Sequence, residues 1–71
     1  MIETVEITTE WIKLDAFLKF TGAASTGGEA KLAIAAGEVK VNGEICTQRG
    51  KKLRPEDKVC YGGKEYAVSK E

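Results

Sequence analysis

Asn42-Gly43 constrains this chain more than any other dipeptide in it. A two-residue type I′ hairpin loop needs positive φ at both positions, and Asn-Gly adopts that geometry at low cost. Before it, Val39 and Val41 alternate with Glu38 and Lys40, the period of a strand with one face in a core, and Glu44 to Cys46 follows as the returning strand. An antiparallel hairpin is expected here, and whatever else the chain builds must cover its valine face.

The residues before the hairpin carry a helical period. Leu14, Phe17 and Leu18 fall at i, i+3 and i+4 while Lys13, Asp15 and Lys19 take other faces, which predicts an amphipathic helix from Trp11 to Phe20, ended by Gly22. Thr26 and Glu29 stand at capping-box spacing and open a second helix through Ala30 to Ala36, stopped by Gly37. Leu32, Ala33, Ile34, Ala35 and Ala36 leave almost no polar face beyond Lys31, so this helix is expected to be buried on most sides. At the N-terminus, Met1 to Ile7 reads as a short edge strand whose Glu3 and Glu6 discourage pairing with other molecules. After the hairpin come a loop over Thr47 to Lys52 and a turn at Arg54-Pro55-Glu56-Asp57. Strands at Val59 to Tyr61 and Glu65 to Val68 follow, joined across Gly62-Gly63. The expected order is β-α-α-β-β-β-β in a single α+β domain over residues 1–71, without internal repeat, linker or exposed apolar stripe.

A chain of 71 residues has little core to spare for a deep active site, since a domain of this size buries only about 60% of its unfolded surface. It contains no histidine, the commonest general base and metal ligand. Cys46 and Cys60 could face each other across strands, but a structural zinc site wants four ligands, so buried thiols are the simpler reading. Asp15 falls in the first turn of a helix, where its charge meets the helix dipole. No enzymatic activity, cofactor or metal is expected. No apolar run approaches the ~20 residues that span a bilayer, and the N-terminus lacks the sections of a signal peptide. The expectation is a cytoplasmic protein with reduced cysteines and no membrane partner.

Lys and Arg number 11 and Asp and Glu 11, so net charge alone supports no nucleic-acid partner. The distribution is uneven, however. Glu3, Glu6 and Glu10 stand at the N-terminus without a base among them, whereas the run from Thr47 to Arg54 holds Arg49, Lys51, Lys52 and Arg54 without an acid. Such a run fits either a solvated loop or a loop that an anion neutralises. The Gly27-Gly28 pair opens the second helix, where free N–H groups and a positive dipole end could receive a phosphate, or where the pair simply belongs to a cap that Glu29 shares. Trp11, Tyr61 and Tyr66 could stack on bases, but their positions fit core or edge packing better.

Taken together, Ile12-Lys13-Leu14-Asp15-Ala16-Phe17-Leu18-Lys19, Gly28-Glu29-Ala30-Lys31, Gly37-Glu38-Val39-Lys40-Val41-Asn42-Gly43 and Leu53-Arg54-Pro55-Glu56-Asp57-Lys58-Val59 resemble the S4 RNA-binding domain family. The resemblance covers roughly residues 12 to 61, and its most specific part is G-x-V-x-V-N-G after two short helices. Within the family, the chain looks most like short stand-alone bacterial S4 proteins, with Gly-Gly-x-Ala-Lys at Gly27 to Lys31 and Arg-Gly-Lys-Lys-Leu at Arg49 to Leu53. The resemblance implies an αL motif, two short helices packed on a small bent antiparallel sheet. It also implies binding of structured RNA, ribosomal or transfer, with the ribosome as a possible setting and no catalysis. One departure stands out: many S4 domains carry Ser-Arg ahead of the second helix, whereas Ser25 is followed here by Thr26-Gly27-Gly28.

From these residues one basic face is expected, built from Lys13, Lys31, Lys40, Arg49, Lys51 and Lys52, with Thr26, Gly27 and Gly28 at the helix start and Lys31 standing in for the missing arginine. A-form RNA hides its base edges in a deep groove, so recognition through backbone and shape is expected. The alternative is a module that docks on a ribosomal or other protein, its basic loop serving solubility. A fragment of a pseudouridine synthase is not expected, since no catalytic domain follows Glu71.

Overall fold

The hairpin forms as its residues dictate, with Asn42 at φ 52° and Gly43 at φ 85°, and it stands at one side of a five-stranded sheet. The computed structural model describes residues 2–71. In chain order the elements are β1 (Ile2–Ile7), β2 (Ile12–Lys13), α1 (Leu14–Phe20), α2 (Gly27–Ala35), β3 (Lys40–Val41), β4 (Glu44–Ile45), β5 (Lys52–Leu53), β6 (Lys58–Tyr61) and β7 (Lys64–Lys70). The main sheet runs β1-β7-β6-β3-β4, while β2 and β5 form a separate two-stranded ribbon. The second tight turn, Gly62-Gly63, joins β6 to β7 with both residues at positive φ.

Three expectations are corrected. The first helix begins at Leu14 and not at Trp11, because Ile12 and Lys13 pair with Leu53 and Lys52 across the ribbon. The sheet is mixed: β1 is the expected edge strand but lies parallel to β7, with Ile2 beside Glu65 and Ile7 beside Lys70. Parallel pairing needs a long crossover, and the rest of the chain supplies it. The expected strand began at Met1, which lies outside the described residues. Finally, α2 is covered on one side only. Ala30, Ala33 and Ile34 are buried, but Leu32 is 74% exposed and Ala35 is exposed. Nor is the surface free of apolar groups, since Ile2, Phe20 and Ile45 are exposed as well. Counting apolar residues overestimates burial when only one side of a helix faces the core, and α2 turns only Ala30, Ala33 and Ile34 toward it.

One apolar core holds the layers together. Leu14, Phe17 and Leu18 of α1 and Ile34 of α2 meet Val39, Val41, Val59, Tyr66 and Val68 from the sheet side and Leu53 from the ribbon. The Phe17 and Tyr66 rings pack edge to face at 6.0 Å, which ties the first helix to β7. Among the described residues no polar or charged side chain is buried.

A polar knot fastens the hairpin loop to the turn before β6. Asn42 Nδ2 donates to Asp57 Oδ1 at 3.1 Å, the Lys58 N–H donates to Asn42 Oδ1 at 2.9 Å, and the Asn42 N–H donates to the Lys58 carbonyl at 2.8 Å. Asp57 Oδ2 accepts from the Arg54 N–H at 2.8 Å and thereby closes the Arg54-to-Asp57 turn. Asn42 thus serves twice, through its tolerance of the left-handed region and through its amide. In the same turn Glu56 sits at φ 80°, a position that favours glycine; its N–H donates to the Val68 carbonyl at 2.8 Å, which holds the strained residue against β7.

Phe17→Ala is expected to cost about 3–5 kcal/mol, a large share of the roughly 5–15 kcal/mol that keeps a small domain folded. Leu32→Ala is expected to change stability by less than about 0.5 kcal/mol. Denaturant unfolding followed by circular dichroism measures both.

Candidate nucleic-acid interface

The site begins with how α1 starts. Its N-cap residue, Lys13, makes no side-chain cap bond, yet the first N–H groups of a helix need acceptors. Here the basic loop provides them: the Leu14 N–H donates to the Lys51 carbonyl at 2.9 Å and the Asp15 N–H to the Arg49 carbonyl at 3.2 Å. A further bond, from the Lys51 N–H to the Gln48 carbonyl at 3.1 Å, folds the loop back on itself. Asp15 stays local and accepts from the Ala16 N–H at 2.8 Å, as a first-turn acid should. The loop backbone from Arg49 to Lys51 is therefore held by the helix, while the Arg49, Lys51 and Lys52 side chains remain exposed.

The ribbon concentrates the charge further. Lys13 lies directly opposite Lys52, and like charges in that position are unfavourable in the free protein. Lys52 extends its amine over the Trp11 ring, 4.7 Å from the centroid. Between the loop and the β3–β4 hairpin lies an open groove of about 450 Å³, lined by Asn42, Glu44, Ile45, Gln48 and Lys51 among others.

Of the nine residues expected in the site, Lys13, Arg49, Lys51 and Lys52 are brought together by these bonds and pairings. Lys40 stands elsewhere. Strand alternation puts Val41 into the core and Lys40 on the sheet face away from the helices, in a second groove with Lys58, Cys60 and Glu65. Lys31 is exposed on α2. At the start of that helix, Thr26 Oγ1 accepts from the Glu29 N–H at 3.1 Å and Glu29 Oε2 accepts from the Ser25 N–H at 3.2 Å. Glu29 therefore bonds outside the helix, and these bonds use neither the Gly27 nor the Gly28 N–H. Neither glycine has positive φ, a Cβ at Gly27 would meet nothing within 4 Å, and one at Gly28 would meet only Thr26 Oγ1 at 3.8 Å. The fold does not require glycine at either place.

The model of the S4 domain family matches residues 5–69.

This chain belongs to the S4 domain family. Among curated relatives, this S4 domain is 42% identical over 53 residues to a protein of Bacillus subtilis (strain 168) described as the probable ribosome maturation protein RlbA, covering 75% of each chain. Among solved structures it is similar to YbcJ from E. coli, with a TM-score of 0.68 and 29% identity over 96% of this chain and 85% of that one. YbcJ is described as carrying an αL motif involved in RNA binding. The αL arrangement expected from the sequence is thus the one the S4 domain adopts, with β1 added in parallel.

Other expectations meet the structure less evenly. Tyr66 is buried, as read, and Tyr61 is half-buried. Trp11 is not a core residue; it is 38% exposed at the edge of the cation group. Its contact with Lys52 is not legible in the spacing, since the two residues stand about forty positions apart. Cys46 and Cys60 are free and only half-buried, and do not pair across the sheet: Cys46 packs against the core, whereas Cys60 lines the outer groove. Among the described residues no group of three or more His, Cys, Asp or Glu could hold a metal ion, and no helix is long and apolar enough to cross a membrane.

Lys13→Glu replaces the repulsion across the ribbon by attraction to Lys52 and puts a negative charge at the start of α1. It is expected to stabilise the free S4 domain by roughly 0.5–1 kcal/mol, less at high salt. Melting temperatures at low and high ionic strength measure the gain.

Proposed function

We propose that this protein binds structured RNA, ribosomal RNA in the first instance, by gripping phosphates with Lys13, Arg49, Lys51 and Lys52. The observation that carries the reading is the Lys13–Lys52 pairing on a ribbon whose loop is tied to α1. A fold that presses like charges together at a held backbone stabilises them best when an anion lies between them. Membership of the S4 family and the description of YbcJ as involved in RNA binding support RNA as the partner. The description of the RlbA relative as a probable ribosome maturation protein favours a ribosomal over a transfer RNA and a cytoplasmic setting.

The start of α2 supplies a second contact. Gly27 and Gly28 leave the first N–H groups of the helix open to close approach, and a phosphate there meets both those donors and the positive end of the dipole. Thr26 positions that turn, and Lys31 adds a cation one turn on. Lys40, on the outer sheet face, is peripheral to this grip. Recognition runs through backbone shape and 2′-hydroxyls more than base edges.

A second reading has one observation in its favour. Phe20 and Leu32, exposed on the helical side, suit a protein surface, so the module would dock on a ribosomal protein and its basic loop would only solubilise.

Binding to ribosomal RNA fragments, transfer RNA, single-stranded RNA and duplex DNA at several salt concentrations separates the two. About four phosphate contacts at ~0.9 each give a log–log salt slope near −4. The Arg49/Lys51/Lys52→Ala variant is expected to lose this binding with its melting temperature little changed; unaltered RNA affinity in that variant would favour docking on protein. Gly28→Ala is expected to raise stability by up to about 1 kcal/mol, since alanine is the better helix former, while weakening RNA binding by blocking the backbone.

A further inference from the structure

Trp11 is the chain's single tryptophan, and it belongs neither to the buried core nor to the partly buried side chains packed against it. It is 38% exposed, with the Lys52 amine 4.7 Å from its centroid. Two features hold it in place. Thr9 Oγ1 donates to the Trp11 carbonyl at 2.7 Å, and the next residue, Ile12, pairs with Leu53 in the ribbon. The indole therefore stands immediately beside the Lys13–Lys52 pair, on a backbone tied at both sides.

We propose that Trp11 is a stacking site for one unpaired base of the bound RNA, at a helix–loop junction or bulge whose phosphates the neighbouring lysines hold. The proposal rests on the RNA-binding reading above and specifies which kind of structured RNA fits it.

The chemistry is an exchange. Among the described residues Lys52 makes no ion pair, and its amine rests on the π face, a weak contact at an exposed site. Stacking of a nucleobase on an exposed aromatic ring is the stronger interaction and is available to every base. When a base takes the ring, Lys52 moves from the indole to the phosphate of that nucleotide, and its repulsion from Lys13 is neutralised in the same step. A continuous duplex offers phosphates but no free base face, so it gains only the electrostatic part. An unpaired nucleotide beside a helix gains both.

Because Trp11 is the sole tryptophan, intrinsic fluorescence of the whole protein reports on this one ring. The test compares three RNA hairpins: one with a single-nucleotide bulge, the same hairpin with an abasic bulge, and a fully paired one, each with wild type and with Trp11→Leu. Quenching by the base-containing bulge alone is expected, with roughly tenfold tighter binding than to the other two. Trp11→Leu should lose that tenfold preference and keep wild-type affinity and salt slope on the paired hairpin, with Trp11→Phe retaining part of the preference. Equal quenching by all three hairpins, or an undiminished preference in Trp11→Leu, overturns the stacking site and leaves phosphate binding standing. Failure of wild type to bind any of the three in a salt-dependent manner overturns both, and the two failures are thereby distinguishable.

Discussion

Two backbone hydrogen bonds, from the first N–H groups of α1 to the carbonyls of Lys51 and Arg49, decide how this molecule presents its charge. A loop rich in Lys and Arg, left to itself, would spread out and sample many conformations, because its side chains repel and its backbone has no partner. A helix without a side-chain cap has the opposite need, donors without acceptors. Each satisfies the other. The Ile12–Leu53 and Lys13–Lys52 pairings extend the same join by one short ribbon, and Leu53 anchors it in the core.

The second anchor is the polar knot between Asn42, Asp57, Arg54 and Lys58. It links two segments of the S4 pattern, V-N-G and R-P-x-D, by direct contact between their side chains and backbones. Together the join and the knot bracket the segment from β4 to β5, which carries Arg49, Lys51 and Lys52. Among the described residues no polar or charged side chain is buried beneath them, so none competes with the surface group for stabilisation. A zero net charge is compatible with this arrangement because the acids of β1 lie at the far edge of the sheet, away from β4.

The exposed apolar side chains have a common origin. A domain of this size cannot surround two helices, and with only one side of α2 turned to the core the outer side is left uncovered. Leu32 is the consequence on α2, while Phe20 is exposed at the end of α1 and Ile45 and Ile2 at the two edges of the sheet. Trp11 differs from these four: it has a defined neighbour, Lys52, and a place beside the charged pair.

The local elements were determined by the sequence alone: the Asn42-Gly43 turn, the Thr26–Glu29 cap, the apolar face of Leu14, Phe17 and Leu18, the edge position of β1 and the run of cations from Arg49 to Arg54. All of these follow from preferences that act within a few residues, where turn chemistry, capping and periodicity leave their mark. Tertiary structure decided the rest: the parallel pairing of β1 with β7, the shortening of α1 by the ribbon, the half-exposure of α2, the separation of Lys40 from the ribbon cations and the meeting of Trp11 with Lys52. Each of these depends on which distant segment the chain brings alongside, and nothing in the spacing of neighbouring residues encodes that choice.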